Sequence, residues 1–312
     1  MASFVQFLQY SGVFAAQNFM VVPEGGFNLV CLRDAKGVHL SYDQARLQID
    51  DVRVEQVERV AQDYIDARYG KQQSQERDDQ LLRLRTSLYG TIWPQAGARA
   101  LKVQAKGTGI PPLTGTRGGT VIKLDVAIMP RKSYTLAFKF LRHFDQAGKV
   151  VNATKFKPDD ASWFLTRLNW IFGAQTNIFF TPAGADWIMV EKALGPKIMR
   201  DVFRQDIVPL KQGGADLTCF LVGDYDATDS EAAGQFLPDE QVCVVVDQGN
   251  PGVFDYGEAF IGVMAHEVGH FLHHKRKLGG SGHHDRGGIL LSSGLESLSL
   301  DRQLVSDLNA WT

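Results

Sequence analysis

His266, Glu267 and His270 stand in the run His-Glu-Val-Gly-His, and residues of these types at this spacing could do metal chemistry. On a helix, positions i and i+4 lie one turn apart on the same face, so two imidazoles there can close on one ion. Zinc takes histidine nitrogen at about 2.0–2.1 Å, and a catalytic site keeps three protein ligands and one open position. The Glu267 carboxylate, beside the first histidine, is placed to accept a proton from the water that zinc polarises and to return it to a leaving amine. The chemistry implied is zinc-dependent hydrolysis of peptide bonds, with Zn2+ as cofactor and a protein or peptide as substrate.

Two histidines are not enough, and the third ligand must come from elsewhere. The run "KRKLGGSGHHD" supplies three turn glycines, Gly279, Gly280 and Gly282, followed by His283, His284 and Asp285. His283 and His284 are candidates to complete the site, and the residues alone leave both open. Glu296, in "GLESLSLD", is a second candidate. His273 and His274 follow on the same helix. Three ligands from one straight helix converge badly, because the outer two are about 10 Å apart along the axis.

The helix carrying the motif is strongly apolar, with Phe260, Ile261, Val263, Met264 and Ala265 before it and Phe271 and Leu272 after it. The preceding run "QVCVVVDQG" is a predicted strand. Upstream, "SYTLAFKFLRHF", "TNIFFTPAG" and "ADLTCFLVGDY" are predicted strands as well. "KPDDASWFLTRLNWIFGAQ" is a predicted helix, capped by Asp159 or Asp160 and lined on one face by Phe164, Leu168, Ile171 and Phe172. "GPKIMRDVFRQDI" is a shorter predicted helix and "LDRQLVSDLNAW" a last one. "GDYDATDSEAAGQFLPDE" is taken as a solvated acidic loop, and His143 as a structural histidine.

The first third has a different texture. Short apolar runs separated by Gly and Pro turn signals predict a small β-sandwich to about residue 129. A helical insertion at about 53–85 interrupts it, where Val54, Val57, Val60, Ala61 and Tyr64 share one face. "GKQQSQERDDQ" is expected to be a solvated loop inside this insertion. "MPRKSY" marks the boundary, so two domains are expected, 1–129 and 133–312.

The 312 residues suit two domains, and 44% hydrophobic with 22% charged residues is ordinary globular composition. A formal net charge of −2 offers no basic field for nucleic acid. Cys31, Cys219 and Cys243 are too few and too odd for a disulfide framework; Cys219 and Cys243 could pair, but in their apolar runs they are expected to be buried free thiols. The N-terminus lacks the positive region of a signal peptide, and no run approaches the ~18 apolar residues of a membrane helix. Synthesis in the cytoplasm without membrane insertion is the expectation, with any export independent of such a signal.

From Ser133 to Thr312 the chain resembles the metzincin-like zinc metallopeptidases in element order and in the stretch His266–Gly294. The resemblance implies an α/β peptidase domain with His266, His270 and one of His283 and His284 on zinc, and Glu267 as general base. The family's spacing HExxHxxGxxH is stretched here. Its glycine position holds His273 and its last histidine position holds Arg276, so His283 stands seven positions beyond the usual place. Leu290 or Leu291 stands where the family carries a methionine under the metal. In that family the last strand before the active-site helix borders the cleft and pairs with extended substrate, which by analogy makes "EQVCVVVDQGN" the substrate-pairing strand. The tail "GTGIPPLTGTRGGTVIKLDVAI" resembles the last strands of bacterial Ig-like domains, implying an N-terminal domain that positions the enzyme or recognises a protein partner. Two other functions fit the same residues: a signal-less effector protease acting on another cell's proteins or peptidoglycan peptides, and a catalytically inactive binding module.

Overall fold

A computed structural model describes residues 1–8, 13–16, 18–69, 71, 74–92, 97–190, 194, 197–211, 213–226, 234–247 and 258–275. It is a mixed α/β protein of several sheets and a few helices. The chain divides into two compact units, one of residues 1–132 with 172–177, the other of residues 133–171 with 178–312. None of the described helices is long and apolar enough to cross a membrane.

In the first unit the strands are β1 (Ser3–Leu8), β2 (Val13–Ala16), β3 (Phe19–Pro23), β4 (Phe27–Arg33), β5 (His39–Tyr42) and β6 (Leu47–Val52). After the helices α1 (Val57–Tyr69) and α2 (Gln75–Ser87) come β7 (Arg99–Ala105), β8 (Pro112–Arg117) and β9 (Thr120–Met129). They form one sheet in the order β2-β1-β4-β7-β6 and a second in the order β3-β9-β8-β5. All pairs are antiparallel except β3 with β9. The run Leu29-Val30-Cys31-Leu32 shows why the middle of β4 is apolar on both faces. Val30 and Leu32 face an apolar layer shared with Met20, Leu113 and Val126 of the second sheet, whereas Leu29 and Cys31 face α1 and α2. A strand buried on both faces needs no polar alternation.

The supposed loop "GKQQSQERDDQ" is in part helix, since α2 begins at Gln75. The Ser74 hydroxyl accepts the Arg77 N–H at 3.2 Å and so caps the first turn. Arg77 is buried and pairs with Asp66 of α1, and its guanidinium holds the Asp66 carboxyl below the usual range. A charged sequence thus became a helix because its charges find partners on the neighbouring helix.

In the second unit, apart from Lys132 and residues 172–176, which fall to the first, the elements are β10 (Lys132–Phe144), β11 (Val150–Ala153), α3 (Ala161–Thr176), β12 (Ile178–Val190), β13 (Ile198–Met199) and the single turn α4 (Arg200–Val202). They are followed by β14 (Leu217–Val222), β15 (Tyr225–Asp226), β16 (Gly234–Leu237), β17 (Val242–Val246) and α5 (Glu258–Lys275). The main sheet has the order β11-β10-β14-β17-β16, with β12 also paired to β10. β10, β14 and β17 run parallel, and β16 is antiparallel to β17. On one face Phe220, Val222, Val242, Val244 and Val246 join a core with Phe203 and Ile207. On the other, Phe138 and Phe140 meet Phe164 of α3, which also contacts Phe156 and Phe260 of α5.

"EQVCVVVDQGN" was expected to border a cleft, and the sheet order corrects this. Its strand β17 has β14 on one side and β16 on the other, so both its edges are already paired. The edge among the described residues is β16, which lies within the stretch taken as a solvated acidic loop.

Candidate metal centre

α5 presents Phe260, Ile261, Met264, Val268, Phe271 and Leu272 as buried side chains and packs on β16 and β17. His273, His274 and Lys275 close its last turn, where positive charge complements the helix dipole. This packing fixes the rotation of the helix and therefore the direction of the motif. The rings of His266 and His270 turn toward one another, with Nε2 atoms 3.0 Å apart and ring planes at 73°. Two nitrogens on a tetrahedral zinc would be about 3.4 Å apart, so the pair fits a shared ion with little adjustment. Among the described residues no group of three His, Cys, Asp or Glu side chains forms a metal site. His283, His284 and Glu296 lie outside the described residues, as do Leu290 and Leu291.

Glu267 is only 5% exposed. Burial pushes its carboxyl up to about 8, opposed in part by the backbone N–H of Phe236, which donates to it. A carboxyl that changes state near neutral pH is suited to taking and giving a proton. Sequence spacing located Glu267 but gave no sign of Gly234 and Phe236, the β16 residues that contact it. Their signal is four residues, Gly-Gln-Phe-Leu, inside an acidic run, too short for any alternation to stand out.

Phe236 also packs against Phe271, at a ring separation of 6.2 Å, and against His274 at 5.8 Å. Tyr134 meets Phe271 edge-on at 5.5 Å. On the strands beneath, Cys219 and Cys243 are register partners with Sγ atoms 2.7 Å apart, both free and buried. Burial and the neighbouring Cys219 push the Cys243 thiol well up, so it stays protonated. His143 is structural, since its Nε2 accepts the Leu194 N–H at 3.2 Å. Neither Asp159 nor Asp160 is the N-cap expected ahead of α3: Lys157 caps a 3-10 turn over Pro158–Asp160, and the Asp160 carboxylate reaches back to accept the Lys157 N–H at 2.9 Å.

No protein family matches this chain, and no curated protein matches it. Two solved structures of the surface layer protein SbsC are similar over 36% of it. Domains 4–9 give a TM-score of 0.19 at 10% identity over 13% of that chain. Domains 4 and 5 give 0.18 at 13% identity over 42% of that chain. The chain thus spans less than half of either protein, and overlaps of this size carry no inference about fold or site.

Proposed function

We propose that this protein is a zinc-dependent endopeptidase, metzincin-like in its second unit. The observation that carries the reading is the convergence of His266 and His270 at 3.0 Å, with a buried Glu267 on the same helical turn. His266 and His270 would hold the ion, with His283 or His284 as the third ligand. Zinc, when bound, would supply a Lewis acid that polarises a peptide carbonyl and acidifies water. Glu267 would take the proton of the attacking water and deliver it to the leaving amine. The edge of β16, unpaired among the described residues, would offer backbone groups to an extended peptide in place of β17. The first unit, read as an Ig-like domain, would position the enzyme or bind a protein partner.

Metal analysis of the wild type and of Glu267→Ala tests this. About one zinc per chain is expected in both. Cleavage of a peptide library is expected from the wild type, with a loss of roughly 10²–10⁴-fold in the variant. A wild type without zinc after zinc-replete purification would overturn the reading and favour a binding module. Separate replacement of His283, His284 and Glu296 identifies the third ligand. If only Glu296→Ala weakens zinc, the metzincin-like assignment is wrong.

A further inference from the structure

We propose that Gly234 is a positioning residue for Glu267: its missing side chain lets edge strand β16 lie against the carboxylate and hold it in place. This rests on the peptidase reading. Gly234 is the first residue of β16, and a glycine in a strand can mark a place where another group approaches closely. Backbone conformation does not require one here, because Gly234 is not among the residues with positive φ. Proximity does require it. A Cβ built at Gly234 would stand 2.8 Å from Glu267 Oε1, 2.9 Å from Glu267 Cγ and 3.1 Å from the Val244 carbonyl oxygen. Two residues along the strand, Phe236 donates its backbone N–H to the same carboxylate. One short strand therefore shapes the space around Glu267 and also supplies a donor to it.

The consequence follows from which atoms can give way. The Val244 carbonyl belongs to β17, which pairs with β16 along this stretch, so it is fixed. The Glu267 side chain is the flexible neighbour. A methyl group at 234 would therefore push the carboxylate aside. Catalytic groups tolerate such displacement poorly, and about 1 Å can cost roughly 100-fold in rate.

The test is Gly234→Ala in the full chain, alone and combined with Glu267→Ala. Gly234→Ala is expected to keep its zinc and to lower kcat roughly 10- to 100-fold with little change in KM. Added to Glu267→Ala, it should lower the residual activity no further. A kcat within about twofold of wild type, or an equal loss in both backgrounds, overturns the proposal. Melting temperatures of the same four proteins report the contact without activity. Gly234→Ala should lower the melting temperature more in the wild type than where Glu267 is already alanine, because the Val244 carbonyl contact at 3.1 Å is common to both. Equal lowering in both overturns the contact. A wild type that holds zinc and cleaves nothing overturns the peptidase reading instead, and the melting comparison then still decides whether Gly234 positions Glu267.

Discussion

Two buried carboxylates in the second unit show how position sets the state of the same group. Glu267 has one backbone donor and a tight enclosure, and its carboxyl rises to about 8. Asp247, just past the end of β17, accepts the Thr154 hydroxyl and the Lys155 N–H on one oxygen, at 2.5 Å each. The Phe156 N–H also donates to the carboxyl, and its other oxygen is buried with no hydrogen-bond partner found among the described residues. Burial outweighs these donors and raises the Asp247 carboxyl above its ordinary value. An acid raised on folding binds more protons in the native state than in the unfolded one. Its stabilising contribution is therefore complete below the unfolded pKa of about 3.9 and is lost as pH rises through the folded value. Asp247→Asn is expected to raise the melting temperature at pH 7.5, with the gain shrinking as pH falls toward 4. Melting curves across that range check it, and a difference independent of pH would show that Asp247 acts through its hydrogen bonds alone.

At the scale of elements, α5 depends on its apolar side for the direction of its histidines. Phe271 is fully buried, with Tyr134 and Phe236 against its ring. Phe271→Ala removes this packing and leaves a cavity, at a cost of about 3–5 kcal/mol. Denaturant unfolding measures the loss, and a value below about 1 kcal/mol would mean that α5 is held by other contacts. Zinc should also slow hydrogen exchange in α5 and β16 above all other elements, because the ion closes on one turn of that helix. Exchange mapped by mass spectrometry with and without zinc reads this out. Protection confined to the first unit would place the metal elsewhere.

At the scale of the molecule, each unit has an apolar layer of its own. One is built around Val30, Leu32, Leu113 and Val126, the other around Phe203, Phe220 and Val244. Metal that binds only the folded second unit stabilises that unit by mass action. Calorimetry is expected to show a transition that rises with added zinc and falls with chelator, and His266→Ala should abolish both responses. A zinc response that survives His266→Ala would remove the motif from the site.

The motif helix, strands β10, β12, β14 and β17 of the main sheet and the α3 helix are legible in the amino-acid sequence. Long apolar runs and an i, i+4 histidine pair are local patterns, and local patterns survive in one dimension. "VCVVV" and "LTCFLV" had to be buried strands, because they are apolar on both faces. What the chain alone could not convey is which strand ends the sheet. β17 looked like the edge because it precedes α5, whereas strand order follows from long-range pairing. That pairing placed the inconspicuous "GQFL" outside it. The same holds for "QERDDQ", whose helix rests on Arg77 reaching Asp66 across the hairpin. Gly234 is the clearest case. Its type announced a turn or a loop, and only the approach of Glu267 from a distant helix gives its lack of a side chain a purpose, because steric space is a property of neighbours in three dimensions.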